Sequence, residues 1–543
     1  MSVILEGTVF DVVAGKTFRG RIKIEDGLIG PVEEDASVPP QPVIMPGLVD
    51  AHVHIESSML IPSEFARLAT PHGTVATVSD PHEIANILGV EGVRYMVENG
   101  RQTPFKFCFG APSCVPATAF ETAGAEVTSE DIREMFKSGL TSYLSEMMNF
   151  PGVLNADSAV MSKIAVAKEF GVPIDGHAPG LRGDAVRRYA KAGITTDHEC
   201  FSIEEASDKI ACDMNIIIRE GSAARNFDAL HRLIGLYPER CMFCSDDKHP
   251  DSLVAGHINE IVRRAIELGY NPMNVVRMAT LNPALHYKLP IGLLRTGDTA
   301  DCIVVESLET MRVMQTYIDG KLVAENGQTY IERVQATEIN NFSAQEITPE
   351  QIEVPAQGSV LRVIEVLDGQ LITNELLLPA RIENGYVVGD TENDVLKLAV
   401  LNRYSVNSPA IAFIRNFGLK RGSIASSVAH DSHNIIAVGT NDDEICAAIN
   451  AIVKTKGGIS VADNGRIDVL PLPVAGIMSA EDGQEVARRY AFLDNRAKQL
   501  GTELGAPFMT LSFMALLVIP ALKLSDRGLF DCTKFDFTGI FAE

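Results

Sequence analysis

The sequence predicts an α/β protein built around a barrel of parallel strands, with a small sheet domain and a third α/β domain beside it. Three observations lead to this fold class. Apolar strand-like runs alternate with amphipathic stretches from residue 44 to 285, strand and turn patterns flank that region, and 543 residues leave room for further folding units. Repeated βαβ units imply a parallel sheet, and their number favours a closed barrel.

The small sheet domain is predicted from two separate segments, residues 1–43 and 286–336. The first alternates apolar and polar residues in VILEGTVFDVVAGKTFRGRIKIEDGLIG, with Gly and Asp at the turns. The second returns to strand and turn residues in GLLRTGDTADCIVV and MQTYIDGKLVAENG. We therefore expect the second segment to complete the sheet that the first one begins.

In the barrel region, residues 44–285, apolar runs each precede an amphipathic stretch. Besides the run before residue 52, they are TVATVSD (Thr74 to Asp80), LTSYLSE (Leu140 to Glu146), VPIDGH (Val172 to His177), ITTDH (Ile194 to His198) and CMFCSDD (Cys241 to Asp247). Short apolar runs followed by longer amphipathic stretches are typical of buried strands that alternate with helices.

A polar stretch rich in Glu and Gln, residues 337–358, is predicted to be a linker. The residues beyond it, 359–543, combine strand-like and helix-like patterns. We expect them to form the third α/β domain.

Charge and composition argue against several classes of function. A formal net charge of −24 is unlike a nucleic-acid-binding surface, which needs basic patches. No run of about 18 uncharged apolar residues is present, so no membrane span is expected. The mixed, acidic start does not resemble a secretion signal. The nine cysteines show no framework spacing, so we expect reduced thiols and a cytoplasmic protein.

The sharpest chemical signal is MPGLVDAHVHIESS, in which His52 and His54 are two residues apart. Residues i and i+2 of a strand point to the same face, so both imidazoles can reach one metal ion. The alternative is a pair of histidines on a half-exposed strand without a ligand. The preceding apolar run and the further ligand-type residues described next favour the metal.

Four more residues of metal-ligand type end later strand-like runs: Glu146, His177, His198 and Asp246. In α/β barrels, catalytic groups gather at the carboxyl ends of different strands. Each residue taken alone has an ordinary alternative, because a Glu, His or Asp at a strand end often caps the next helix or bonds to a loop. Together with the HxH pair they predict a centre that holds one or two divalent metal ions.

Longer strings carry a family resemblance. GLVDAHVHIESSML, DPHEIAN, SEMMNFPGV, DGHAPGL and SSVAHDSHNI resemble the adenine deaminases of the amidohydrolase superfamily, and the likeness spans essentially the whole chain. The resemblance implies a (β/α)8 barrel with a flanking small β-sandwich domain and a C-terminal α/β domain. It also implies one or two divalent ions per chain, with manganese or iron expected and zinc compatible with the same histidine and carboxylate ligands.

Carried over position by position, the resemblance divides the predicted ligands between two ions. One ion would be held by His52, His54 and Asp246, and the other by His177 and His198. A carboxylate at the end of the fourth strand would bridge them.

That bridging residue is Glu146. Many two-metal relatives use a carboxylated lysine at this place, and no lysine lies near Glu146 before Lys137 or Lys163. A glutamate is likewise an anionic ligand with two oxygens, and it needs no covalent modification. The resemblance therefore still implies a two-metal site.

The implied reaction is the hydrolytic deamination of adenine to hypoxanthine and ammonia by a metal-activated hydroxide. Asp246 would take the proton of the attacking water and return it to the leaving amine. Glu83 is the candidate acid for ring atom N1, which requires a protonated carboxyl group; the alternative is a helix-start glutamate that bonds backbone N–H groups. His82, beside it, is a candidate substrate-binding residue. Asp247 is expected to face the barrel wall or the next loop, because side chains alternate along a strand.

A polar cluster in SSVAHDSHNII lies in the third domain and contains His430, Asp431 and His433. His430 and His433 are candidate substrate-binding residues that reach the pocket and contact the purine. A hydrogen-bonded turn explains the same cluster equally well.

Two other functions are alternatives to the deamination of adenine. Another amidohydrolase reaction, on a cyclic amide or an N-acyl substrate, would use the same metal site. A non-enzymatic assembly role is disfavoured, because every expected ligand is present. The expected partner is a small purine base, with no nucleic acid and no membrane, and the size of the third domain leads us to expect a homo-oligomer.

Overall fold

The first strands of the chain begin a mixed sheet. The computed structural model describes residues 2–542. The N-terminal strands are β1 (Val3–Asp11), β2 (Lys16–Glu25), β3 (Leu28–Glu34) and β4 (Val43–Pro46). β1 and β2 form an antiparallel hairpin, while β4 runs parallel to β1. Because β4 pairs within this sheet, the barrel region begins after Pro46 rather than at residue 44.

Eight parallel strands follow and lie in two curled arcs. In chain order they are β5 (Leu48–Val53), β6 (Thr74–Ser79), β7 (Lys106–Ala111), β8 (Tyr143–Met147), β9 (Ile174–Gly176), β10 (Thr196–Asp197), β11 (Asn215–Arg219) and β12 (Cys241–Cys244). Strands β5 to β9 form a five-stranded arc and β10 to β12 a three-stranded one. The predicted α/β class is therefore confirmed, with a curled parallel sheet, and the closed (β/α)8 barrel stays a prediction.

Strands β7 and β11 were not predicted from the sequence. Neither is followed directly by a helix, since the next helices begin only at Ser129 and Phe227. The alternation of strand and helix that identifies the other strands is therefore interrupted at these two places.

The two arcs meet at both edges. Between β9 and β10, the Thr195 N–H donates to the carbonyl of Ile174 over 2.9 Å. Between β12 and β5, the Asp246 N–H donates to the carbonyl of His52 over 3.0 Å. Side chains that follow the first and the last strand consequently reach one common site.

Helices connect the parallel strands. They are α1 (Pro62–Ala69), α2 (His82–Leu88), α3 (Val90–Gly100), α4 (Ser129–Lys137), α5 (Phe150–Leu154), α6 (Ser158–Phe170), α7 (Gly183–Lys191), α8 (Ile203–Ile210), α9 (Phe227–Leu230), α10 (Leu233–Leu236), α11 (Pro250–Ala255), α12 (Ile258–Glu267), α13 (Pro272–Met278) and α14 (Leu281–His286). Side chains fix several starts: Thr128 closes a capping box on α4, and Asp157 and Ser202 cap α6 and α8. Among residues 2–542, no helix has both the length and the apolar character needed to cross a bilayer.

The chain then returns to the first sheet. Its later strands are β13 (Cys302–Val305), β14 (Val313–Ile318), β15 (Lys321–Glu325) and β16 (Gln328–Thr329), and the eight-stranded order is β16-β15-β14-β13-β4-β1-β2-β3. The Ala300 N–H donates to the carbonyl of Gly27 over 2.9 Å, so the β2–β3 turn meets the start of the returning segment. One apolar core, which includes Ile22, Ile44 and Val304, is shared by both halves. The resemblance implied a β-sandwich, which consists of two packed sheets, whereas the structure has one continuous eight-stranded sheet.

The segment predicted to be a linker, residues 337–358, packs against the third domain. Ile347 and Ile352 are buried in an apolar cluster with Ile449. The carbonyl of Ile339 accepts a hydrogen bond from the Ala475 N–H. Isoleucines spaced along this polar stretch therefore anchor it, so it is not a free linker.

The third domain centres on an eight-stranded, mainly antiparallel sheet in the order β19-β18-β23-β22-β25-β24-β26-β27. Its strands are β17 (Val354–Pro355), β18 (Val360–Val366), β19 (Thr373–Pro379), β20 (Ile382–Glu383), β21 (Tyr386–Val387), β22 (Val395–Leu401), β23 (Ala410–Arg415), β24 (Ser423–Ser426), β25 (Ile435–Gly439), β26 (Gly458–Asp463), β27 (Arg466–Pro471), β28 (Leu522–Ser525), β29 (Gly528–Asp531) and β30 (Asp536–Phe537). Its helices are α15 (Asp442–Thr455), α16 (Gly483–Gln499) and α17 (Pro507–Phe513). Leu60, beyond the end of β5, forms a bridge with Ser479, so this domain adjoins the carboxyl end of the barrel strands.

A methyl group added where β9 meets β10, at the seam between the two arcs, should destabilise the fold. A Cβ on Gly176 would lie 2.4 Å from the carbonyl oxygen of Thr196 on the neighbouring strand. Gly176→Ala should lower the free energy of unfolding by about 1–3 kcal/mol, measured by urea titration. The control is Gly235→Ala, where the exposed Cβ meets only the Tyr270 ring at 3.4 Å. Equal stability of the two variants would contradict the close contact at the seam.

Candidate metal centre

His52 and His54 lie two residues apart at the end of β5, and their rings approach each other. Both are buried, and their Nε2 atoms are 3.1 Å apart. The Nδ1 atom of His54 lies 3.2 Å from the carbonyl oxygen of Asp80, which orients the ring and leaves Nε2 facing the cavity. Two imidazole nitrogens in this arrangement suit a shared cation, as the HxH spacing predicts.

Glu146, in β8, lies among four imidazoles. Its Oε1 is 3.3 Å from Nε2 of His54 and 3.5 Å from Nδ1 of His82. Its Oε2 is 2.8 Å from Nδ1 of His177 and 3.1 Å from Nε2 of His198. Burial acts to raise the pKa of Glu146, but the imidazoles outweigh it and hold this pKa well below its usual value. The two oxygens reach opposite halves of the donor set, as a bridging ligand must.

Asp246 follows β12 and approaches the same histidines. Its Oδ1 lies 3.4 Å from Nε2 of His54 and 3.9 Å from Nε2 of His52. Its backbone has a left-handed φ of 53°, which interrupts the alternation of side chains along the strand. Asp247 consequently lines the cavity too and accepts a hydrogen bond from the Ser57 hydroxyl over 2.5 Å. The expectation that Asp247 faces the barrel wall or the next loop is wrong for this reason.

Asp80 and the charged pair Arg219 and Glu199 belong to the site and were not predicted from the sequence. Arg219 ends β11, and its Nη1 lies 2.5 Å from Oδ2 of Asp246. Its Nη2 donates to Glu199 over 2.9 Å. Glu199 directly follows His198, and its Oε1 is 3.4 Å from Nε2 of that histidine. The available signal was the run NIIIR, an apolar segment that ends in a charged residue like the other strand ends.

His82 belongs to the same cluster of ligand-type groups. Its Nδ1 lies 3.2 Å from Oδ2 of Asp80, and its Nε2 lies 3.4 Å from Glu83 and 3.7 Å from Asp431. Burial acts to lower the pKa of His82, but the surrounding carboxylates raise it well above its usual value. The imidazole that the sequence suggested for substrate binding thus connects the ligand set to Glu83.

Glu83 is hydrogen-bonded to two histidines of the third domain. One carboxylate oxygen contacts Nδ1 of His430 and the other contacts Nε2 of His433. Burial acts to raise the pKa of Glu83, but these imidazoles and His82 hold it well below its usual value. These contacts favour the carboxylate form of Glu83, whereas the sequence led us to expect a protonated carboxyl group there, and that protonation stays a prediction.

The donor set fits a divalent ion. Groups whose nitrogen and oxygen atoms lie within 4.8 Å of one another combine ligand-type residues of the cluster: His52, His54 and Asp246; His52, Glu146 and His198; His177, His198 and Glu199; and His54, Asp80, His82 and Glu146. Within residues 2–542, the ring atoms Nε2 of His177 and Nδ1 of His198 are buried without a hydrogen-bond partner. Imidazole and carboxylate ligands suit manganese, iron and zinc. All six ligands predicted from the sequence meet in this one cluster.

Apolar side chains line the cavity together with these polar groups. Met148 comes from the barrel, while Leu371, Phe513 and Leu516 come from the third domain. The Phe513 ring lies 5.2 Å from the ring of His430 at an interplanar angle of 30°. Charged and histidine side chains make up most of the lining and these four apolar side chains the remainder, a combination that suits a small polar heterocycle.

Comparison with protein families matches both large parts of the chain. Residues 43–323 match the model described as the amidohydrolase family. Residues 370–536 match the model of the adenine deaminase C-terminal domain. The first match covers the barrel and its metal-ligand candidates, and the second covers the segment that supplies His430, His433 and Phe513.

Whole-length relatives extend these matches. A protein of Salinibacter ruber named adenine deaminase is 53% identical and aligns over 100% of this chain and 99% of its own. Proteins of the same name from Methanosarcina barkeri and a Sulfurovum species are 50% and 52% identical, with at least 98% of both chains aligned. These identities and the two family matches establish that the chain belongs to the adenine deaminase family of the amidohydrolases.

Proposed function

We propose that this protein deaminates adenine hydrolytically to hypoxanthine and ammonia. The observation that carries the proposal is the convergence of the six ligand-type side chains at a cavity to which the third domain adds apolar side chains and His430. The names of the full-length relatives support adenine as the substrate. A cyclic amide or an N-acyl substrate is the alternative, because the same ligand set serves related hydrolytic reactions.

The metal ligands are proposed to be His52, His54 and Asp246 for one ion and His177 and His198 for the second. Glu146 would bridge them, and manganese or iron is favoured, with zinc compatible. A divalent ion bound here lowers the pKa of a coordinated water and so supplies a nucleophile at neutral pH.

Asp246 is proposed to act as general base and then as general acid. It would take a proton from the attacking water and deliver it to the amine that leaves from C6. Arg219 supports this role, because its contact with Oδ2 leaves Oδ1 directed at the histidines. Glu199 fixes the other side of the guanidinium group.

Proton delivery to N1 of the purine is proposed to involve His430 and Glu83 together. The Nε2 atom of His430 is buried, lines the cavity and has no hydrogen-bond partner within residues 2–542. Burial acts to lower the pKa of His430, but Glu83 and nearby acids raise it to about 9. A protonated imidazole held by a carboxylate can donate where a neutral carboxyl group was expected. His433 orients Glu83, and His82 contacts it from the barrel side.

The closed barrel and the cytoplasmic location are proposed as well. The two arcs that meet at both edges support a (β/α)8 barrel with its active site at the carboxyl ends of the strands. All nine cysteines are free thiols, which supports a cytoplasmic location. The homo-oligomer stays a prediction.

An ammonia assay tests the activity. Metal-reconstituted protein should release ammonia from adenine and form hypoxanthine, because the ligand cluster lies at a cavity with both polar and apolar lining residues. The panel should contain adenine, other aminopurines, cyclic amides and N-acyl compounds. Turnover of a cyclic amide or an N-acyl compound in the absence of adenine turnover would contradict the proposal and support the alternative.

Replacement of the general base should affect turnover more than binding. Asp246→Asn keeps the shape of the side chain but cannot accept the proton, so kcat should fall by about 10²–10⁴-fold while KM changes little. Asp247→Asn is the comparison, because Asp247 lies outside the predicted ligand set; its Oδ1 is 3.8 Å from Nε2 of His430, so a smaller loss of activity is expected for this variant. If Asp247→Asn is inactive while Asp246→Asn stays active, the general base is not Asp246 and the assignment is wrong.

Loss of the bridging charge should weaken binding of the second ion. Glu146→Gln keeps the size of the side chain and removes its charge, so the measured metal content per chain should fall. Glu121→Gln is a matched control, because Glu121 is equally buried and burial raises its pKa to about 8. Unchanged two-metal stoichiometry in Glu146→Gln would argue against a bridging role.

A further inference from the structure

Two apolar residues of the third domain close the cavity that faces the metal-ligand candidates. Leu371 precedes β19, and Phe513 ends α17, so they come from segments far apart in the chain. Both side chains are almost fully buried, at 5% and 2% exposure, yet both line the cavity. Their positions determine the width of the space between the apolar wall and the polar donor set.

The side-chain amine of Lys523 joins these two segments. Lys523 lies in β28 and is fully buried. Its Nζ donates to the carbonyl oxygen of Leu371 over 2.7 Å and to that of Phe513 over 2.9 Å. One side chain thus holds the backbones of both cavity-lining residues.

The surroundings of Lys523 are unusual for a lysine. Within residues 2–542, no carboxylate oxygen lies within ion-pair distance of its Nζ, whereas buried lysines are normally paired with an acid. Phe513 is the last residue of α17, and its carbonyl also accepts a hydrogen bond from the Leu516 N–H over 3.2 Å, so Lys523 adds a second donor at this helix C-terminus. Burial lowers the pKa of Lys523 to about 7. The neutral amine retains two N–H groups, which is the number that the two carbonyls require.

We propose that Lys523 is a positioning residue for purine binding, which sets the placement of Leu371 and Phe513 over the substrate. Lys523 does not touch the substrate or the metal ligands. It acts through the backbone of the two residues that do line the cavity. The inference deepens the proposed adenine deamination and rests on it.

The test compares two buried lysines of the third domain. Lys523→Met removes both hydrogen bonds and keeps the length of the side chain, so the KM for adenine and the dissociation constant of hypoxanthine should each rise by about tenfold. The value of kcat and the metal content should change much less. Lys397→Met is the matched control, because Lys397 is also buried and donates to the carbonyl of Ile352 over 3.0 Å and to Asp442, away from the cavity. The control should leave KM and hypoxanthine binding unchanged.

A double-mutant cycle separates positioning from general loss of stability. Leu371→Ala should also raise the KM, and in Lys523→Met/Leu371→Ala the two effects should not add, because the lysine acts through the leucine. If Lys523→Met does not fold, Lys523→Leu, which also lacks an N–H donor, carries the same comparison. Unchanged KM in the folded variant, or full additivity, overturns the inference while adenine turnover by the wild-type protein stands. An inactive wild-type protein overturns the proposed function and this inference together.

Discussion

Burial of the Glu146 carboxylate among imidazoles is the constraint on which the rest of the site depends. An isolated buried charge is strongly unfavourable, so it must be paired or bound to a cation. His54, His82, His177 and His198 surround this carboxylate, and they come from different strand ends of the barrel. The arrangement exists only if both arcs of the parallel sheet curl toward one point. The seams between the arcs are therefore as important to the chemistry as the ligands themselves.

The site also depends on contacts between the third domain and the barrel. Glu83, from the barrel, is hydrogen-bonded to His430 and His433 of the third domain. The same domain supplies the apolar wall of the cavity at Leu371 and Phe513. The third domain therefore completes the site by adding an apolar wall and two imidazoles to the polar centre of the barrel.

Local periodicity and chain order account for what the sequence predicted well. The spacing of His52 and His54 places both rings on one face of a strand whatever surrounds it. Ligand-type residues at the ends of apolar runs, such as His177 and His198, follow from the rule that parallel strands bring their carboxyl ends to one side of the sheet. The family strings add the substrate class. These features depend on neighbouring residues in the chain, and each can be seen in a short window.

The remaining features were decided by the tertiary structure, because they depend on contacts between distant segments or on a single backbone angle. Arg219 became part of the site when β11 brought it against Asp246, and the left-handed φ of Asp246 turned Asp247 into the cavity. The charge of Glu83 depends on imidazoles nearly 350 residues away, at separations of 347 and 350 positions. The residues next to Lys523 in the sequence do not indicate its role, because that role depends on the carbonyl groups of Leu371 and Phe513. The sequence by itself determined which residue types end the strands, and the packing of the domains decided their charge states and their partners.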